Sequence, residues 1–325
     1  MSESNLVLAT EDGLRQRPSV LVIGGTGHVG AALCNFLVDR NHPVSAASRS
    51  SRLTFDSPKI DRVLLDITDT TDTTPLPASS IAVICPWINE PDRADPQWVL
   101  HLLHRLAETG LRSAFYFSTI WVYGTQLTGH LTESATASPT SSYGAAHLEN
   151  EHLLAKCSKQ LGIDVSVLRM ANLVGPDPFY QLRKKSSFAH ELVEMATRDK
   201  TIVLKSPPST PRNLLTRTLL HHDLGPLLDR EVVEGRFEIF NLGSGATTTM
   251  AVLTQEIARL AQHYHGKPIR VEHPLESTSA PLFHLDTTKI RLLAGPGVDD
   301  LPGELELILD EVVLGSASEN EMSEK

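Results

Sequence analysis

SVLVIGGTGHVGAALCNFL, residues 19–37, is the stretch from which the fold is read. SVLVI has the length and β-branched content of a buried strand. Beyond it Val29, Ala32, Leu33, Phe36 and Leu37 recur at the spacing of an amphipathic helix. Between the two lies GGTGHVG, which sets Gly24, Gly27 and Gly30 at GxxGxxG spacing. Gly24 and Gly27 permit a tight turn and close approach of a pyrophosphate to the helix N-terminus, and Gly30 lets the helix pack on the strand. Thr26, His28 and Val29 complete the loop as candidate cofactor contacts. A glycine-rich turn without a ligand is the alternative; the order strand, loop, helix favours the dinucleotide.

Working outward, strand-like runs recur at PVSAAS (43–48), RVLLD (62–66), IAVIC (81–85) and SAFYFS (113–118), with a helix at about 97–109. A helix at about 143–160, DVSVLR (164–169) and FEIFNLG (237–243) follow. This alternation predicts an α/β fold, a doubly wound parallel sheet of Rossmann type with a smaller C-terminal substrate-binding lobe. The expected organisation is a flexible start (1–17), a dinucleotide-binding domain (18–175), a mixed lobe (176–314) with sheet elements returning at about 218–245, and a frayed tail (315–325). LLHHD (219–223) reads as a late strand and turn.

The 325 residues, 41% hydrophobic, suffice for a packed core, and 29 basic against 39 acidic side chains give a net charge of -10. No stretch is strongly basic, so nucleic acid is excluded as an expected partner. Cys34, Cys85 and Cys157 are far apart in apolar runs, which suits reduced thiols in the cytoplasm rather than disulfides or a metal site. The first eighteen residues show neither an export signal nor a membrane span, so no membrane association is expected.

The second strand ends in Ser48, Arg49, Ser50, Ser51, Arg52, without the carboxylate that would bond the ribose hydroxyls of NAD. An arginine there pairs with a 2′-phosphate, which favours NADP over NAD; the alternative is that Arg49 and Arg52 are solvated. Asp66, with Ile67 beside it, either accepts from the adenine amino group or caps the next turn. Cys85 and Pro86 close the fourth strand as further cofactor contacts, with Cys85 equally readable as a small core thiol, and Trp87 narrows the pocket.

The fifth strand runs into STIWVYG (118–124), and Tyr143 opens a helix in SSYGAAHLENE (141–151). Together with GxxGxxG, Glu133, Pro139, Glu151, RMANLVGP (169–176), Asp223 and FNLGSG (240–245), these residues resemble the extended short-chain dehydrogenase/reductases, the NAD-dependent epimerase/dehydratase family. The resemblance implies that Tyr143 is the general acid/base and that Thr119 bonds the reacting oxygen. It also implies a lysine four residues after the tyrosine, and His147 stands there instead. At a free pKa of about 6.5 a histidine is mostly neutral at pH 7, so its electrostatic help to Tyr143 is weaker and pH-dependent.

The resemblance implies a polar small-molecule substrate of the nucleotide-linked sugar class, with Asn172 and Arg212 or Arg217 near its diphosphate; the spacing of these arginines to Asp223 is not the family's usual one, which leaves a polyketide, terpenoid or other small carbonyl substrate open. Ile120 and Trp121 would line its pocket; they occupy the positions of the dehydratases' acidic pair, and neither transfers a proton. Ketone reduction, alcohol oxidation and epimerisation remain open. The alternatives are a cofactor-binding regulatory or scaffold protein, and a non-redox lyase or isomerase. By the same resemblance a homodimer pairs through the helices near 97–109 and 143–160.

Overall fold

The computed structural model describes residues 17–86, 97–183, 187–274 and 281–323, with side chains through residue 315. Trp87 and residues 1–16 lie outside the described residues. The chain runs β1 (Val20–Ile23), α1 (His28–Asp39), β2 (Val44–Ser48), β3 (Ile60–Leu64), β4 (Ile81–Ile84), α2 (Trp98–Glu108) and β5 (Ser113–Thr119). A 3-10 turn, Ile120–Tyr123, and β6 (Gly129–Leu131) lead to α3 (Ser142–Leu161), β7 (Asp164–Met170) and β8 (Asn172–Val174). The second half adds α4 (Phe188–Glu194), β9 (Thr201–Val203), β10 (Pro211–Thr216), α5 (Arg217–Asp229), β11 (Phe237–Leu242) and β12 (Thr247–Thr249). It closes with α6 (Met250–His265), β13 (Arg270–Glu272), β14 (Phe283–Leu285), α7 (Thr288–Ala294) and α8 (Leu301–Ser323).

Seven strands form one sheet in the order β11-β7-β5-β4-β1-β2-β3, and every pair is parallel. This is the doubly wound Rossmann sheet expected from the repeats. Strand order reverses between β1 and β4, where such a sheet opens a crevice at its carboxyl edge. All residues of β1 and β4 are buried, as central strands covered on both faces must be.

Alternate side chains supply two cores. Val20, Val22, Phe115 and Phe117 pack under Leu33 and Leu37 of α1, Leu220 and Leu224 of α5 and Ile290 of α7. Leu21, Ile23, Tyr116 and Val165 pack under Leu102, Leu103 and Leu106 of α2 and Leu154 of α3. A third core joins Leu192 and Val193 of α4, Leu253 and Ile257 of α6, and Leu305, Ile308 and Val312 of α8. The β2–β3 and β3–β4 crossovers, both fully described, carry no helix.

Two expectations change. LLHHD is helix, not strand: Thr216 caps α5 by accepting from the Leu219 N–H, and Leu220, Leu224 and Leu227 then bury one helical face. Residues 315–323, expected to fray, continue α8 to Ser323. Among the described residues no helix is long and apolar enough to cross a membrane.

Candidate active site

The glycine loop sits at the switch point between β1 and β4. Gly24 has φ +76°, and a β-carbon there would overlap the Cys85 carbonyl oxygen; one at Gly30 would overlap the Gly24 carbonyl. The loop is therefore held backbone to backbone against the neighbouring strand end. Gly27 caps α1 with no side-chain hydrogen bond, and the first turn carries no acid. The first-turn N–H groups are thus left for an anionic ligand group, and this cradle fits a dinucleotide pyrophosphate.

His28 does not offer its ring to that cradle. Its Nε2 lies 3.0 Å from the Gly175 carbonyl oxygen, its ring meets His190 edge-on at 5.5 Å, and burial lowers its pKa. Phe55 similarly meets Phe179 at 5.0 Å, so the segment after β8 is tied to the dinucleotide half at two places.

Beyond β2 a cavity of about 150 Å³ is lined by Thr26, Ser48, Ser50, Ser51, Phe55 and Arg62 among others. Arg62 was not picked out from sequence; it pairs with Ala46 across β2 and β3, a register that no local pattern displays. Its Nη2 donates to the Ser51 carbonyl oxygen at 3.0 Å. Arg49 and Arg52 are exposed and do not line this cavity. Of the two readings of Asp66, the structure displays the cap: its Oδ1 accepts from the Thr68 N–H at 3.0 Å and the Thr68 hydroxyl at 2.7 Å. Ile67 is half-buried against the α2–α3 core, Cys85 is half-buried at the end of β4, and Pro86 is buried.

Thr119 ends β5 and caps the 3-10 turn, its Oγ1 accepting from the Trp121 N–H at 3.3 Å. Its hydroxyl proton remains to donate. The turn carries Ile120 inward, so Ile120, expected to line the substrate pocket, is a core residue only 1% exposed. Trp121 stays half-buried. The turn also seats α3: a β-carbon on Gly144 would overlap the Trp121 carbonyl, and Ser141 caps the helix by accepting from the Gly144 N–H at 3.1 Å. Tyr143, one residue into α3, is thereby fixed beside the end of β5.

Burial raises the Tyr143 phenol above its ordinary pKa, and burial drives His147 down to about 4. The two rings meet edge-on with centroids 4.6 Å apart. The lowered His147 value agrees with the expectation of a mostly neutral imidazole at pH 7, and enclosure, which disfavours the cation, takes the ring further in that direction. Its Nδ1 is 2.9 Å from the Tyr116 hydroxyl, and its Nε2 is buried with no hydrogen-bond partner among the described residues.

Behind this pair the motif residues form a buried frame. Arg169 donates to Glu151 at 2.6 Å and to the Tyr123 hydroxyl at 3.0 Å; Ser118 donates to Glu151 at 2.5 Å, and Tyr123 donates to Asn241 at 2.7 Å. Asn172 donates to the Asn213 carbonyl from β8, level with Leu214 of β10. Arg212 lies two residues before that level and, among the described residues, donates to its neighbour's carbonyl, at Pro211. Arg217 stands five residues further, roughly 16 Å along an extended chain, and its Nε faces Glu304 at 3.6 Å. From the level of Asn172, at Leu214, Arg212 is thus two residues before and Arg217 three residues after, with Arg217 packed against Gly175.

The family model described as the NAD dependent epimerase/dehydratase family matches residues 20–215. A curated UDP-glucose 4-epimerase from Azospirillum brasilense is 24% identical over 284 residues, covering 78% of this chain and 79% of its own. Among solved structures, a UDP-N-acetylglucosamine 4-epimerase from Methanobrevibacter ruminantium M1 superposes with TM-score 0.78 at 16% identity, covering 92% of this chain and 99% of that one. A UDP-glucuronic acid 4-epimerase from Bacillus cereus, solved with NAD, gives 0.70 at 19% identity, covering 91% and 99%. By sheet order, glycine cradle and family match, the chain belongs to the NAD-dependent epimerase/dehydratase family and is an enzyme of the extended short-chain dehydrogenase/reductase type.

Proposed function

We propose that the chain catalyses reversible oxidoreduction at a secondary carbinol of a nucleotide-linked sugar, in the manner of a 4-epimerase. The observation that carries the reading is the seating of α3, which carries Tyr143 in its first turn, on the 3-10 turn that Thr119 caps, with Gly144 against the Trp121 carbonyl. The bound dinucleotide would supply the hydride acceptor and donor. Thr119 donates to the reacting oxygen and holds it in place, and Tyr143 exchanges the proton at that oxygen. Ile120 and Trp121 have no proton to move, so elimination of water has no acid–base pair at these positions. Asn172 and Arg212 are the residues for the substrate diphosphate, Arg212 as a cation that no carboxylate holds among the described residues. The names of the three relatives given above, each a UDP-sugar 4-epimerase, support this substrate class.

A second reading is favoured by the neutral Tyr143–His147 pair. A phenol kept protonated gives up a proton more readily than it takes one, so net reduction of a keto sugar fits it better than oxidation. For the dinucleotide we infer a preference for NADP over NAD: Arg62, Ser48, Ser50 and Ser51 surround the cavity beyond β2, and no carboxylate lines it. The reading includes a homodimer through α2 and α3, which sedimentation velocity tests as twice the chain mass.

The experiment has two parts. NADPH and NADH are titrated into wild type and Arg62→Ala, with about tenfold loss of NADPH affinity expected in the variant. UDP-glucose, UDP-N-acetylglucosamine and UDP-glucuronic acid are then followed for C4 epimers, and their 4-keto derivatives for NADPH consumption. Epimer formation lost in Tyr143→Phe supports the first reading; reduction without epimers supports the second. Turnover that survives Tyr143→Phe removes both.

A further inference from the structure

The segment between β8 and α4 is tied to the cofactor half at two points. At the glycine cradle, the Gly175 carbonyl oxygen lies 3.0 Å from Nε2 of His28, the first residue of α1. Four residues on, Phe179 meets Phe55 edge-on at 5.0 Å. Phe179 is only 5% exposed, yet it belongs to none of the three cores. A chain of polar contacts sets its backbone instead. The Phe179 N–H donates to Asp177 at 2.9 Å, Arg183 donates to the same carboxylate at 2.8 Å, and the Asp177 N–H donates to Glu311 of α8 at 3.0 Å. Glu311 also faces Nε2 of His190 at 3.1 Å, and His190 stacks on Tyr180 at 4.9 Å.

Phe55 is half-buried and forms one wall of the cavity beyond β2, which Thr26 of the glycine loop and Arg62 also line. Phe179 lines no part of that cavity and braces the wall. At about 150 Å³ the cavity is roughly half the low end of the about 300–1,000 Å³ that small-molecule sites occupy. The adenosine end of a dinucleotide therefore enters only if a wall moves. Ala46, Ser48, Arg62 and Val63 are fixed by strand pairing, whereas Phe55 lies in the helix-free connection between β2 and β3. We propose that Phe55 and Phe179 form an aromatic latch on the adenosine end of the dinucleotide site. Cofactor enters and leaves when the two rings part, and Glu311, by holding residues 175–183, sets how readily they do. The inference rests on the dinucleotide binding proposed above. Through this latch the C-terminal helix α8 acts on cofactor exchange from outside the cofactor site.

The test mixes full-length protein with NADPH, or with NADH where that binds more tightly, in a stopped-flow instrument. Nicotinamide fluorescence follows entry, and an excess of the oxidised dinucleotide then follows release. Phe179→Ala should speed both entry and release about three- to tenfold, the weight of one aromatic pair, and leave the dissociation constant within about twofold. Glu311→Ala removes a partly exposed carboxylate that touches neither ring. It should act in the same direction more weakly, and it serves if Phe179→Ala does not fold. Faster release at an unchanged entry rate would make Phe179 a contact that stabilises the complex, and overturns the latch. Entry and release rates that ignore both variants overturn it as well and leave the proposed function standing. Wild-type protein that binds neither NADPH nor NADH overturns the proposed function and this inference together.

Discussion

Tyr143 and His147 meet edge to face at 4.6 Å as two neutral rings, where the family pattern places a phenol beside a cation. His147→Lys would carry a cation into the same enclosed position, so the variant should lose stability at neutral pH and gain reactivity only in so far as the lysine stays charged. A positive charge within about 4–6 Å lowers a neighbouring acid's pKa by roughly 1–3 units. With the lysine charged, oxidation of substrate at pH 7 should rise about tenfold or more in the variant, read from initial rates; an unchanged rate with a charged lysine would mean that proton removal by Tyr143 does not limit turnover.

The pH profile of the wild type carries the same signature. Because burial holds the Tyr143 phenol above its ordinary value, the oxidative rate should climb without a plateau through the ordinary phenol pKa of about 10. The reductive rate, which needs the protonated phenol, should stay level across neutrality and fall only above that pKa. A bell centred near pH 7 in both directions would contradict this assignment.

Stability should depend on His147 in acid. Its folded pKa is about 4 against about 6.5 unfolded, so the unfolded chain binds the proton first. The contribution of the neutral ring is complete above pH 6.5 and is lost as pH falls through 4, on the order of 3 kcal/mol in all. Urea titrations of wild type and His147→Gln from pH 4 to 7 should show a shallower slope in the variant.

Gly24→Ala combines two penalties, a left-handed backbone at φ +76° and a β-carbon overlapping the Cys85 carbonyl. The first alone costs about 1–2 kcal/mol. The variant should lose at least that much in denaturant and should bind dinucleotide far more weakly, because the loop must leave the strand end that aligns its N–H groups. Unchanged NAD or NADP affinity would separate the cradle from cofactor binding.

Glu151→Leu should cost about 3–5 kcal/mol, since Arg169 at 5% side-chain exposure would keep its charge and lose its carboxylate. Chemical denaturation reads the effect, and adding Arg169→Met should recover part of it.

What could be read in advance was what the chain encodes locally. The SVLVIGGTGHVG segment carries its strand, turn and helix within twelve residues, and it placed the cradle and the parallel sheet. Tyr143, Thr119 and His147 were also visible, as spacings within one or two elements. Arg62 was not, because it reaches the cavity through pairing with β2, and the contact of Tyr116 with His147 was not, because a strand residue and a helix residue meet only in the packed core. Ile120 was assigned to the pocket because it follows Thr119, yet the 3-10 turn rotates it inward. LLHHD was read as strand for its apolar run, and the cap at Thr216 decided otherwise.

The frame of Ser118, Glu151, Arg169, Tyr123 and Asn241 ties β5, α3, β7 and β11 together without including position 147. Architecture and reactivity are thus written in separate residues of the same motifs. A lineage can exchange the residue four positions after the tyrosine and keep every strand in register, so inherited shape outlasts inherited chemistry. A shared outline among such chains is evidence of common descent well before it is evidence of a common reaction.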